Sequence, residues 1–263
     1  MSTVTDHRID APGGRLFACE WTPARASAAP PLVLMHDSLG CVELWRDFPE
    51  QLAEGICRRV VAYDRLGFGR SDARADRLTP GFVSEEAEIY LPWVLRHLHM
   101  ERFVAFGHSV GGGMAVHCGT ALAASCAAIV VESAQMFAED RTLQGIAAAR
   151  IDFRDSANFA RLRRYHGDKA PWVLEAWTET WLDPAFASWN LETELPRVRC
   201  PMLAIHGDQD EFGSVKHPEL IRSLAGGPVA TRILEGVGHV PHRERPEAII
   251  GLVAEFLTAS RHE

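Results

Sequence analysis

No run of about 18 consecutive apolar residues occurs in the chain, which excludes a membrane-spanning helix at the level of sequence. The first ten residues, Met1 to Asp10, hold no apolar segment of the kind that directs export. A soluble, cytoplasmic protein with no membrane partner is the expectation. Basic runs are missing too: 27 Lys+Arg stand against 35 Asp+Glu, a formal charge of -8, and no stripe of cations is present to displace phosphate counterions. Nucleic acid is excluded as a partner. The six cysteines (Cys19, Cys41, Cys57, Cys118, Cys126, Cys200) are scattered singly among apolar neighbours without CxxC spacing. They read as buried thiols. Cys118 and Cys126, a pair that could crosslink or ligate, lack companion ligands. No repeat of roughly 20 to 50 residues is evident.

What remains is a chain of 263 residues, 47% hydrophobic, with enough apolar side chains for a full core. One domain with an insertion is expected, because large α/β folds reach about 250 residues undivided. Residues 6–21 alternate around Gly13-Gly14 and predict an edge hairpin. Short apolar runs at Pro31 to His36, Arg59 to Tyr63, Phe103 to Phe106, Ala127 to Val131, Met202 to Ile205 and Ala230 to Leu234 predict strands buried on both faces. Helical spacing lies between them. The clearest helix is Ser84 to Leu98, with Ser84 as its cap and a bend or offset boundary at Pro92. Others are expected at 43–54, 110–123, 216–225 and 246–259. Alternating strands and helices imply a mostly parallel central sheet with helices on both faces, since parallel strands need crossovers. Residues 137–190 break the alternation with helical patterning and four tryptophans, and predict a helical insertion. The expected division is a core of 1–136 and 191–263 with a cap subdomain of 137–190.

The chemistry concentrates at strand ends. Gly107-His108-Ser109-Val110-Gly111 follows one apolar run and opens a helix rich in small residues. A nucleophile on so sharp a turn needs glycine two residues to either side, because a Cβ there would strike backbone. Ser109 stands at the helix start, where the dipole favours negative charge and the Val110 N–H offers one oxyanion donor. A serine hydroxyl is a poor nucleophile at neutral pH, so it needs a base, and the base needs an orienting acid. His206-Gly207-Asp208-Gln209-Asp210 follows a later strand and puts carboxylates at its C-terminal end; Asp210 is the chosen acid and Asp208 the reserve. Glu132, ending the preceding strand, is a further alternative. Gly236-Val237-Gly238-His239 places a histidine on a glycine-rich loop, which makes His239 the base.

These pieces together resemble the α/β-hydrolase superfamily, through HDSLG at 36–40, YDRLGFGRS at 63–71, GHSVGGG at 107–113, HGDQDEFG at 206–213 and GVGHVPHRERPE at 236–247. The resemblance covers nearly the whole chain. It implies that Ser109, Asp210 and His239 form a triad and that the helical insertion is a cap over the pocket. One departure matters: Asp37 occupies the position where the family carries glycine after its strand-ending histidine. The second oxyanion donor is then Leu39 or Ser38, with Leu39 preferred as the product of a loop expanded by one residue. Asp37 reads either as an acidic group at the pocket mouth or as a turn residue. Candidate substrate contacts are Asp37, His108, Trp172, Trp177 and Trp181; the tryptophans read equally as packing of the cap on the body, and His108 reads more readily as a packed residue than as a second base. His166, Arg163 and Arg164 in the cap offer a carboxylate contact or a solvated basic face. Asp64 and Arg65 read as fixing the loop after their strand. The pairs His97/His99 and His239/His242 have metal-like spacing but no completing ligands, so neither metal nor cofactor is expected.

The function implied is hydrolysis of a small, mainly apolar carboxylic ester or related acyl compound through an acyl-enzyme. Two alternatives stay open: a carbon-carbon bond hydrolase of ring-cleavage products, and a ligand receptor on the same fold that does not turn over. The partner is a small-molecule substrate, and a homodimer is compatible with the sequence.

Overall fold

The computed structural model describes residues 1–260. Among them, eight strands form one sheet: β1 (Thr3–Ala11), β2 (Gly14–Thr22), β3 (Leu32–Met35), β4 (Val60–Asp64), β5 (Phe103–His108), β6 (Cys126–Glu132), β7 (Met202–Gly207) and β8 (Val229–Leu234). Their spatial order is β1-β2-β4-β3-β5-β6-β7-β8. The β1–β2 hairpin is antiparallel and occupies one edge, as its alternating pattern and Gly13-Gly14 turn predict. Strand β2 joins β4 antiparallel, and the remaining pairings are parallel.

The central strands are buried at nearly every position and mostly apolar, because both faces are covered. Their side chains alternate between two cores. Val33, Met35, Val61, Tyr63, Phe103 and Ala105 point to one face; Leu32, Leu34, Val60, Ala62, Val104 and Phe106 point to the other. The second face is covered by α1 (Phe48–Ile56) and by the C-terminal helix, through Leu52 and Val253. The first is covered by three helical segments, α2 (Phe82–Glu85), α3 (Leu91–His97) and α4 (Val110–Ala121).

The helix expected at 84–98 differs in detail. It starts at Phe82 with Gly81 as N-cap, and the Ser84 hydroxyl donates back to the Gly81 carbonyl at 3.1 Å. A π-turn at Glu86–Tyr90 links α2 to α3, whose first turn carries Pro92. The wider turn absorbs the proline, which has no N–H to donate.

Between β6 and β7 the chain leaves the sheet and forms α5 (Asp140–Asp152), α6 (Ser156–His166) and α7 (Ala170–Trp181). A single antiparallel bridge between Phe137 and Asn190 closes the base of this excursion. Trp181, Phe186 and Leu191 belong to the same core as the sheet face, so the excursion is anchored by apolar burial. The fold closes with α8 (Lys216–Leu224), α9 (Pro241–Glu244) and α10 (Pro246–Ala259). Among the described residues no helix is long and apolar enough to cross a membrane. The six cysteines are free thiols, but Cys57 is exposed and Cys200 only half-buried, against the expectation that all are buried.

Candidate active site

Strand order reverses direction at β3, with β4 on one side and β5 on the other, and open α/β sheets place their sites at the C-terminal ends of such strands. The loops after β3, β5, β6, β7 and β8 meet there. Ser109 sits between β5 and α4 with φ 56° and ψ -126°, a backbone conformation strained for a side chain with a Cβ. The surrounding glycines make the turn sterically feasible. A Cβ on Gly107 would lie 2.0 Å from the Gly111 carbonyl oxygen, and one on Gly111 would lie 2.2 Å from that of Met35. The Ser109 N–H donates to the Glu132 carbonyl at 2.9 Å, which ties the turn to β6.

The three residues chosen from sequence are brought together. Ser109 Oγ lies 3.1 Å from His239 Nε2, and His239 Nδ1 lies 2.8 and 2.9 Å from the Asp210 carboxylate oxygens. Asp210 Oδ1 also accepts the N–H groups of Phe212 (2.8 Å) and Gly213 (3.0 Å). Burial opposes the charge of Asp210, yet its hydrogen bond and attraction to His239, with His206 and the Phe212 N–H, hold its carboxyl below the usual range. The loop carrying His239 can pass so close because residue 207 is glycine: a Cβ there would stand 2.1 Å from the Val237 carbonyl oxygen. Asp208, the reserve acid, accepts from the Gly236 N–H instead and shapes the histidine loop. Glu132 faces another imidazole, with His242 Nδ1–H donating to it at 2.5 Å.

The loop after β3 explains Asp37. Its Oδ1 accepts the Leu39 N–H at 3.1 Å in an Asx turn, and its carbonyl accepts from His36 Nδ1 and Arg65 Nη2, both at 2.8 Å. Asp37 is therefore a turn residue that also lines the cavity. Burial works against its charge, but the neighbouring His108 more than compensates and keeps its carboxyl far below the ordinary value. Leu39, the preferred oxyanion donor, has its N–H spent on Asp37 and its carbonyl on His166 Nε2–H at 3.0 Å. Among the described residues nothing takes the N–H of Ser38 or of Val110. The Leu39 N–H is thus engaged and the Ser38 N–H is not, because an aspartate in the glycine position supplies its own acceptor.

An apolar cavity of about 310 Å³ opens on Ser109 and His239, walled by Ile146, Ala149, Phe153, Trp177, Trp181 and Phe212. Trp177 and Trp181 are thus where a pocket reading puts them. Trp172 is not: it packs on Phe68, donates Nε1–H to the Asp76 carbonyl at 3.1 Å, and lines a separate surface cleft. Helical periodicity separates it from the other two. Trp172 lies five residues before Trp177, more than one turn, so it projects from another side of α7. His108 is not a substrate contact either. It lies buried beneath the loops, donating Nε2–H to the His239 carbonyl at 2.8 Å, with Nδ1 3.6 Å from Asp37 Oδ2. Burial resists its protonation, but Asp37 and Glu132 outweigh burial and raise its pKa. The strand alternation that turns Ser109 upward turns its neighbour down.

His166 is buried and joins the excursion to the body, accepting from the Gly69 N–H at 2.9 Å as it donates to Leu39. Arg163 pairs with Asp168 on the surface. Asp64 takes the N–H groups of Val42 and Arg70, both at 2.6 Å, and fixes its loop as expected. Two features escaped the sequence reading. His108, Glu132 and His242 form a buried cluster with ligating atoms within 4.8 Å of one another; they come from the ends of β5 and β6 and from α9, which only the folded chain brings together. The Gln135 side chain accepts from Ser109 Oγ at 3.1 Å inside the cavity, and no local motif marks it.

Known proteins of similar sequence and fold agree with this architecture. The mouse (Mus musculus) monoglyceride lipase is 24% identical over 277 residues, covering 95% of this chain and 88% of that protein. A crystal structure of a bacterial membrane phospholipase A superposes with a TM-score of 0.80 at 21% identity, over 99% of this chain and 87% of that one. Proline iminopeptidase of Mycobacterium smegmatis gives a TM-score of 0.79 at 20% identity, over 97% and 98%. Residues 32–252 match the model of the alpha/beta hydrolase family, a span that runs from β3 into α10 and takes in every loop of the site, and the chain belongs to that family.

Proposed function

We propose that the protein is a serine hydrolase cleaving a small, mainly apolar carboxylic ester through an acyl-enzyme. The observation that carries this reading is His239 bridging Ser109 Oγ and the Asp210 carboxylate at the floor of an apolar cavity. His239 accepts the Ser109 proton as Oγ attacks the carbonyl carbon, and the developing oxyanion is met by the N–H groups of Val110 and Ser38. The imidazolium then protonates the departing alkoxide, leaving the acyl group on Ser109. Water, deprotonated by the same imidazole, attacks the acyl carbon, and Ser109 leaves with the proton. Asp210 holds Nδ1–H in place, keeps Nε2 free to accept, and steadies the cation. The cavity supports an apolar acyl group over an anionic one, since most of its wall is apolar, including Ile146, Phe153, Trp177, Trp181 and Phe212, and the charged side chains at its edge, Asp37 and Glu211, are carboxylates. The names of the mouse lipase and the bacterial phospholipase point to ester substrates in the same direction.

The test is labelling by a fluorophosphonate and hydrolysis of nitrophenyl esters, with Ser109→Ala as control. Stoichiometric labelling and turnover, both lost in Ser109→Ala, are expected, with turnover falling by about 10³ or more. Equal turnover by Ser109→Ala discards the assignment. A vinylogous diketone assayed in parallel separates carbon-carbon bond hydrolysis, which wins if that substrate is preferred.

A further inference from the structure

Gln135 is a buried carboxamide, 2% exposed, in the apolar wall of the cavity. Its Oε1 lies 3.1 Å from Ser109 Oγ, the same distance that separates Oγ from His239 Nε2. The serine has one proton and two acceptors competing for it. Among the described residues nothing takes the Gln135 amide N–H groups. By contrast, the Thr142 hydroxyl in the same cavity is already spent on the Phe212 carbonyl. The backbone around Gln135 is held firmly. Ser133, at φ 47°, donates its N–H to the Ile205 carbonyl at 2.9 Å, and Met136 donates to His217 Nδ1 at 3.2 Å while its carbonyl accepts from Leu191 at 2.8 Å. A polar group so placed, with donor capacity unused and its acceptor engaged only by the nucleophile, is a recognition element.

Resting on the ester-hydrolase reading above, we infer that Gln135 selects esters bearing a hydroxyl on the carbon next to the scissile carbonyl. A carbonyl carbon poised for attack stands about 3 Å from Oγ, which puts Oε1 within about 6 Å of it. An oxygen on the adjacent carbon, hydrogen-bonded to Gln135, spans about 5 Å from that carbonyl carbon, so the reach matches. Such a hydroxyl donates to Oε1 and displaces the serine hydroxyl, which is left with His239 as its acceptor. It also accepts from the amide N–H. A plain acyl chain leaves the serine shared and sets apolar carbon against the amide N–H, and a site built for a hydroxyl disfavours the analogue that lacks it. Recognition is thereby coupled to release of the nucleophile, so the discrimination enters kcat as well as KM.

The experiment compares 4-nitrophenyl butyrate with 4-nitrophenyl 2-hydroxybutyrate, each rate divided by that ester's own hydroxide-catalysed rate. Wild-type protein is expected to favour the hydroxy ester at least tenfold in corrected kcat/KM, and Gln135→Leu to bring the ratio near one while still labelling with fluorophosphonate. A wild-type ratio near one overturns the inference whether or not the variant folds. So does a Gln135→Leu protein that labels and keeps the wild-type ratio. Failure of wild-type protein to turn over either ester instead sinks the ester-hydrolase reading, which stands if both esters react equally.

Discussion

Asp210→Asn preserves the side chain's shape and changes which atoms face His239. Asp210 Oδ1 accepts two backbone N–H groups, from Phe212 and Gly213, at 2.8 and 3.0 Å. An asparagine keeps its carbonyl oxygen there, because turning the amide would aim N–H at N–H. Its NH₂ then occupies the Oδ2 position, 2.9 Å from His239 Nδ1, while the Oδ1 position, 2.8 Å from Nδ1, keeps only a neutral amide oxygen already engaged by two backbone N–H groups, a weaker acceptor for Nδ1–H than the carboxylate. A donor at that distance favours the tautomer with Nδ1 as acceptor, which moves the ring proton to Nε2, opposite Ser109. An imidazole protonated at Nε2 cannot take the serine proton. The expected loss in kcat is about 10³ to 10⁴, equivalent to about 4 to 5.5 kcal/mol of transition-state stabilisation, with KM nearly unchanged. The assay is steady-state hydrolysis of 4-nitrophenyl butyrate together with the rate of fluorophosphonate labelling, which should fall in parallel since both need an activated serine. Because Asn is isosteric with Asp, thermal unfolding should confirm a folded variant. A folded Asp210→Asn protein retaining more than a tenth of wild-type kcat would refute the assignment of Asp210 as the orienting acid.

Two further outcomes follow from packing and burial. Trp177→Ala should lower kcat/KM for short acyl esters roughly tenfold by removing the apolar wall against which the acyl chain packs, whereas Trp172→Ala should cost about 2 kcal/mol of stability and leave ester kinetics in place; matching kinetic losses in both would contradict the cavity boundary. Glu86 is buried against Tyr63, whose hydroxyl donates to it at 2.8 Å, and burial pushes its carboxyl up to about 7 although Arg65 opposes the rise. In the folded chain Glu86 therefore holds its proton above the pH at which the unfolded chain releases it. Its contribution is fully present below about 4.5 and is lost as pH rises to about 7, up to about 3 kcal/mol. Urea midpoints of Glu86→Gln measured from pH 5 to pH 7.5 should fall less with pH than those of wild type, and parallel curves would count against it.

Much of the site was legible before folding because its geometry is local. The glycines at 107 and 111 flank Ser109 in the sequence and make its strained turn feasible in the structure. Buried parallel strands announced themselves as unbroken apolar runs, since both faces need covering. Where two neighbouring residues competed, local pattern failed. Asp208 and Asp210 lie on one short loop, yet one caps Gly236 and the other meets His239, a choice set by the path of a loop some thirty positions later. Leu39 and Ser38 are adjacent, and only the folded loop shows the Asp37 carboxylate taking the Leu39 N–H. Trp172 shared a helix with two cavity residues and faced elsewhere. Gln135 carried no motif at all.

Backbone sterics and apolar periodicity act over a few residues, so the order of strands and helices, the turn holding Ser109 and the glycine-rich loops could be read from the chain alone. Contacts that join positions more than a hundred residues apart could not, apart from the Ser109–His239 pairing that the family resemblance implied. The pairing of His108 with the His239 carbonyl, of His166 with Leu39, and of His242 with Glu132 depends on how β5, the helical excursion and the last loop converge at one sheet edge. That convergence is decided by burial of the two cores as a whole, and no short segment encodes it.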